Sequence, residues 1–371
     1  MGSTRNYIKC LDQSLKLGLN YNKRLSMEAQ LSNSTHLLAV VIPVFCMGGQ
    51  VLSGQSITAQ LDAPLYDRWV YPFNSVPGER AIASSFTAYN SEYDFFDDRD
   101  GQILLGFETQ QVIPSGMGAG AYQVNSGRLT LVIESDDIVY DSTPDPWQTF
   151  LLDGPADEDP GRATIVSGGA FRGGFDGWSF GETGEFGAVE IRGRNVYPID
   201  FDAQGMPLDI SNNITEGFDP RPFGIGRTTE VLEGELMPSL TTLTFELDVN
   251  DPDIQCYLRG ALEEGLLSLV VTSLHPASEQ GSGGEPYADW VMKENSLVFF
   301  GYAEASGLEL DVDIADPSGS TGDINGDGSV DVTDLLMVLN DWGCTCCLSD
   351  INADGLTDVA DLLAVIGNWG S

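Results

Sequence analysis

Short apolar segments alternate with polar, turn-forming clusters along most of this 371-residue chain. Ile103–Glu108, Leu129–Ser135, Leu243–Val249, Leu266–Thr272 and Ser296–Tyr302 are rich in Val, Ile, Leu and Phe, and Gly, Pro, Asp and Asn clusters separate them. Runs of this length between turn residues predict β-strands. Within residues 60–314 only Asp253–Glu264 has a pattern that predicts a helix. The natural way to bury so many short strands is an antiparallel arrangement in two packed sheets. The period then changes near the C-terminus. Leu335, Val338, Leu339 and Trp342 fall at i, i+3, i+4 and i+7, and Leu362, Val365, Ile366 and Trp369 repeat that spacing 27 residues later. Each set marks one face of a predicted helix, and each helix closes on Trp-Gly (Gly343, Gly370), a helix stop. Between the two regions, Ala315–Gly322 is rich in Pro, Gly and Ser and reads as a flexible linker.

The segment before each C-terminal helix carries the most specific chemistry in the chain. Asp323, Asn325, Asp327, Ser329, Asp331 and Asp334 occupy positions 1, 3, 5, 7, 9 and 12 of a loop with Gly328 at position 6. Asp350, Asn352, Asp354, Leu356, Asp358 and Asp361 occupy the same positions of a second loop with Gly355 at its position 6. Side-chain oxygens at 1, 3, 5, 9 and 12, a backbone carbonyl at 7 and a Gly for the sharp turn are the requirements of an EF-hand-type Ca²⁺ loop. Two Ca²⁺ ions are therefore expected. A polar solvated loop would not explain why Gly recurs at the same place in both units. Position 12 is Asp in both, one methylene shorter than the EF-hand Glu.

At these residues the chain resembles the type I dockerin domain of secreted bacterial proteins, a pair of calcium loop–helix units that docks onto cohesin domains. That resemblance covers residues 323–371 and implies a cohesin-like or other surface protein as partner. Dockerins carry recognition residues at loop positions 10 and 11, often Ser-Thr. Here those positions hold Val332-Thr333 and Val359-Ala360, so the resemblance transfers calcium binding more directly than it transfers cohesin docking.

The N-terminal residues predict export. Arg5, Lys9, Lys16, Lys23 and Arg24 precede the apolar run Leu37–Met47, which is shorter than the roughly 20 residues that span a bilayer. Residues 1–59 thus read as a signal peptide with a long n-region, cleaved between about 49 and 60, with Met27 as an alternative start. Removing them leaves 12 of the 17 basic and 54 of the 56 acidic residues, a formal charge of −42. Such a charge excludes nucleic acid and anionic membrane as partners, and no other stretch reads as a membrane span. In a secreted or cell-surface protein, disulfides are expected rather than thiol chemistry. Cys344–Cys347 is the expected bridge, with Cys256–Cys346 as a candidate second one; zinc on these cysteines is the rival reading.

The β region is less specific. Gln102–Thr109, the turn Ile113-Pro114-Ser115-Gly116 and the strand Gly127–Leu131 resemble the DNRLRE-type β-sandwich, a jelly-roll-like module of secreted bacterial proteins whose relatives bind polysaccharide. Glu246–Val249, Ile254–Leu262 and Gly265–Leu269 continue the resemblance, while residues 136–230 form a long insertion. The expected fold is mainly β: a large jelly-roll-like antiparallel β-sandwich over 60–314, a linker at 315–322, and a small helical calcium module at 323–371. Beyond the leader His275 is the only histidine and Lys293 the only lysine, and no nucleophile or zinc-protease motif occurs. Asp97, Asp98 and Asp100 are a candidate further cation site or a solvated loop. Phe171, Phe175, Trp178 and Phe180 form either a sugar-stacking platform or core. Three readings follow: a non-catalytic secreted protein attached through its tail, a polysaccharide-binding module, or a carbohydrate-active enzyme using a carboxylate pair.

Overall fold

The computed structural model describes residues 55–371 apart from 73, 75, 88–97, 152, 188–192, 278–285, 315–320, 326, 345–346 and 353–355. All belong to one compact unit, Ser53–Ser371. The fold is mainly β. In chain order the strands are β1 (Gln55–Leu61), β2 (Tyr66–Val70), β3 (Ile82–Ser85), β4 (Gln102–Phe107), β5 (Tyr122–Val132), β6 (Thr164–Phe171), β7 (Val196–Phe201), β8 (Pro207–Asp209), β9 (Gly224–Arg227), β10 (Thr242–Glu246), β11 (Leu267–Ser273), β12 (Ala288–Val291) and β13 (Gly307–Ile314). The helices are α1 (Gly177–Phe180), α2 (Asn213–Glu216), α3 (Pro252–Glu264), α4 (Ser296–Phe299), α5 (Val332–Asn340) and α6 (Val359–Gly367).

Eleven strands make one curled antiparallel sheet in the order β1-β13-β5-β10-β9-β6-β11-β4-β2, with β7 attached to β6 and β8 to β7; β12 and β3 form a separate pair. One limb, β1-β13-β5-β10, contributes Ala59, Leu308, Leu310, Val312, Leu129, Leu131 and Phe245 to the main core. The other contributes Ile103, Leu105, Phe107, Val166, Leu269 and Val271 to the same core. Alternate residues of both limbs thus meet across one apolar interior, as the period of two requires. Strand β9 joins the limbs by pairing with β10 (Phe245↔Gly226) and with β6 (Ile165↔Ile225). Residues 136–230 therefore supply β6, β7, β8 and β9, including the link that makes the two limbs one sheet.

Helix α3 forms where the sequence predicts one. Asp251 caps it by accepting from Asp253 N (2.9 Å) and Ile254 N (3.3 Å), Pro252 opens it, and Gly265 ends it in the left-handed region. Ile254, Leu258, Ala261 and Leu262 face the core. The predicted strand at Ser296–Tyr302 is corrected: it is the short helix α4. Asn295 caps that turn by accepting from Leu297 N at 2.9 Å, and Phe299, Phe300 and Tyr302 stand exposed with no strand beside them. Local capping there outweighs an apolar run that has no sheet edge to join.

At the N-terminal boundary, Gln55–Ala59 lie within β1 and pair with Ile314–Leu310, so the β domain begins upstream of residue 60. The rest of the expected leader falls outside the described residues, as do Ala315–Ser320 of the linker. No helix among the described residues is long and apolar enough to cross a membrane.

Candidate metal centre

Both C-terminal units are built from the position-12 aspartate outward. Asp334 is fully buried. Its Oδ1 accepts from Ile324 N (2.8 Å) and Asn325 N (3.2 Å), and its Oδ2 accepts from Asp331 N (2.9 Å). One carboxylate thereby ties the start of the loop to its end. Burial raises the pKa of Asp334, but these N–H groups outweigh it and hold the carboxyl below its ordinary value. Asp361, also fully buried, repeats the pattern with Ile351 N (2.7 Å), Asn352 N (3.2 Å) and Asp358 N (2.8 Å). The shorter side chain at position 12 suits this role, because it reaches three backbone N–H groups without leaving the loop.

Asp331 and Asp358 sit at position 9 and double as N-caps of α5 and α6, accepting from Thr333 N and Ala360 N at 2.7 Å each. In loop one, Asp323 Oδ2 accepts from Gly328 N (2.9 Å) and Asp327 Oδ1 accepts from Ser329 N (2.9 Å). Asn325 Oδ1 accepts from Asp327 N at 2.9 Å. Gly328 has φ +88° with nothing within 4 Å of where a Cβ would stand, so glycine is required there for conformation and not for space. In loop two, Asp350 and Asn352 have partners, Leu356 is exposed, and Asp354 lies outside the described residues together with Ala353 and Gly355.

These residues offer carboxylate and amide oxygens only, the donor set of a hard cation such as Ca²⁺. Residues 323–371 hold nine aspartates and no Lys or Arg, so the loops carry an uncompensated charge that a divalent ion would relieve. Their oxygens are not gathered round one point: among the described residues no three loop carboxylates approach within 4.8 Å of one another, because each is engaged by loop N–H groups. The zinc reading of the cysteines fails, since Cys344 and Cys347 are joined by a disulfide (S–S 2.01 Å). Cys256 is also disulfide-bonded, and its partner lies outside the described residues.

The helical faces divide in a way that the sequence period does not reveal. Val330, Val338 and Val365 are fully buried, packed by Ile324, Leu335, Ile351 and Leu362. Leu339, Trp342, Ile366 and Trp369, expected on the packed face, are about half exposed. With Val332, Leu336, Val359 and Leu363 they make two stripes of four apolar side chains, each between 49% and 59% exposed and related by the same offset of 27.

In the β domain, Asp98 accepts from Thr215 N (2.8 Å) and Thr215 Oγ1 (2.9 Å), which fixes α2. Asp100 is buried near Arg194, and Asp97 lies outside the described residues. Phe171, Phe175 and Phe180 pack with Tyr66 and Leu104 in a second apolar cluster, and of the four aromatics only Trp178 is exposed. His275 is a core residue: its Nδ1 lies 2.9 Å from Ser273 Oγ, and burial holds its pKa down to about 4. Two carboxylate groups escape sequence reasoning altogether, Asp67–Glu182–Glu294 and Asp141–Asp145–Asp159. The members of the first are far apart in the chain, and those of the second, though within one acidic stretch, follow no ligand spacing.

Comparison of the chain with protein-family models, curated proteins and solved structures returned no match.

Proposed function

We propose that this chain is an exported, non-catalytic β-domain protein carried on a calcium-dependent docking tail, through which it attaches to a surface protein. The observation that carries this reading is the pair of exposed apolar stripes on α5 and α6, repeated residue for residue beside two loops of matching ligand spacing. A small domain that leaves eight large apolar side chains in solvent, twice over in the same pattern, presents a surface suited to a protein partner. Val332 and Val359 stand at the loop positions by which dockerin domains recognise cohesins, and both are exposed. The partner on this reading offers an apolar face, with basic groups at its rim to meet the aspartates. Calcium acts through folding: by organising the loops it sets α5 and α6 against each other and so presents both stripes together.

The single His and Lys of the mature region, the burial of His275 and the core placement of the Phe171–Phe180 aromatics leave little that favours catalysis or sugar stacking. The test is capture of surface proteins from the producing cells by the full chain, with Ca²⁺ or with a chelator. A partner should be held only with Ca²⁺, and Leu336→Asp with Leu363→Asp should release it while Ca²⁺ uptake by the loops is kept. Capture that survives both chelation and the double substitution would refute the docking role.

A further inference from the structure

Between residues 136 and 162 the sequence places eight acidic groups and one base, Arg162. The fold brings part of this charge inward. Tyr140 N donates to Glu235 O (2.8 Å) and Gly234 N to Tyr140 O (2.9 Å), which pins the segment so that Asp141 is 5% exposed. One oxygen, Asp141 Oδ1, accepts from Thr143 N at 2.7 Å. The other, Oδ2, is buried with no hydrogen-bond partner. Asp145 and Asp159 each bring a carboxylate oxygen to within 4.8 Å of Asp141 and of each other. Gly161, at φ +110°, lets the chain that carries Asp159 pass so close that a Cβ there would stand 2.9 Å from Asp141 Cβ.

Arg162 meets one member of this group, Asp145, and neither of the other two. Its Nη1 is committed to Asp145 Oδ2 (3.1 Å) and to Asp157. Glu233, which accepts from Ser142 N at 3.1 Å, adds further negative charge beside Asp141. The other carboxylate group is built differently. Lys293 Nζ lies 3.7 Å from both Asp67 and Glu294 and pairs with Glu182, so one cation reaches all three of its members. A buried carboxylate oxygen with neither a hydrogen-bond donor nor a base is costly unless something else meets it. Among the described residues, oxygens come from three sides and no base pairs with Asp141 or Asp159.

We propose that Asp141, Asp145 and Asp159 form a Ca²⁺ site of the β domain, separate from the two tail loops. Three carboxylates and solvent can furnish the six to eight oxygens that Ca²⁺ takes, and their irregular arrangement suits Ca²⁺ better than octahedral Mg²⁺. The ion joins the Ile138–Asp145 arm to the Asp157–Arg162 arm at the root of β6, stapling residues 136–230 to the sheet that they complete.

The experiment uses the full chain with both tail loops disabled by Asp327→Ala and Asp358→Ala, dialysed against about millimolar ⁴⁵Ca²⁺, the concentration range of extracellular calcium modules. One equivalent should remain bound, and either Asp141→Asn or Asp159→Asn should remove it. Asp159 is exposed, so its variant keeps the test open if Asp141→Asn does not fold. Zero equivalents in the loop-disabled parent, or one equivalent that persists in both Asn variants, would overturn the proposal. The unaltered chain reads the tail separately, binding three equivalents if the loops take calcium and one if they do not.

Discussion

The β domain gathers 34 buried residues into one apolar core, whereas the paired loop–helix units of the tail fully bury three valines. Both regions are cut from the same acidic chain, yet only the first has enough interior to fold on apolar burial. A unit of about fifty residues is below the size at which such burial alone suffices, and small domains make up the difference with metals or disulfides. The tail has one disulfide of its own and twelve-residue loops in which aspartates cap, close and turn the backbone. Its order is written in polar contacts, that of the β domain in side-chain packing.

Removing calcium should separate the two regions most strongly. Chelation should abolish amide protection in α5 and α6 while protection in β5 and β11 persists, as read by hydrogen exchange on the full chain. Equal protection of the helices with and without Ca²⁺ would end the distinction. The reverse experiment strikes the core. Phe245, fully buried between the limbs, should cost the β domain about 3–5 kcal/mol on replacement by Ala. Urea denaturation would measure that loss, and calcium uptake by the tail should be unchanged.

Acid gives the smallest contrast. His275 titrates near 6.5 when unfolded and near 4 when folded. Above pH 6.5 it is neutral in both states and has no effect. Between 6.5 and 4 only the unfolded chain takes up the proton, so stability falls as the pH falls, by about 2 kcal/mol between pH 7 and pH 5. Buried carboxylates whose pKa burial raises, Asp67 (raised to about 7) foremost, act in the opposite direction over the same window. The comparison is therefore with His275→Gln, which keeps those carboxylates: its stability relative to the parent should improve by that amount at pH 5. The tail contains no histidine and should show no difference between the two proteins. An unchanged gap at the two pH values would return His275 to an ordinary environment.

What was legible in the sequence follows the range of the interactions. The two acidic loops were legible because their pattern lies within twelve residues, whereas the closure of each loop by backbone N–H groups on Asp334 and Asp361 was not. Helix α3 was legible as the segment Asp253–Glu264, and the structure adds its caps at Asp251, Pro252 and Gly265. Four of the five segments singled out as strands are strands; the fifth, Ser296–Tyr302, shows that an apolar run names a strand only when an edge awaits it. The role of β9 in joining the limbs is a property of strand order, which no local pattern encodes. The Asp141–Asp145–Asp159 group depends on how two arms of residues 136–230 meet. Periodicity placed Trp342 and Trp369 on the packed faces of helices that end at Asn340 and Gly367, so both stand half exposed just beyond the helix ends.

The register of β1 against β13 has a mechanical consequence. Gln55 lies opposite Ile314, so the strand that enters the domain and the strand that leaves toward the tail begin and end side by side. Strand β1 is an edge strand with β13 as its single partner in the sheet. Tension between the segment before Gln55 and a docked tail would load this antiparallel ladder one hydrogen bond at a time, as a zipper and not in shear. The chain would yield first by peeling β1, at low force, while the interior between the limbs stayed unloaded.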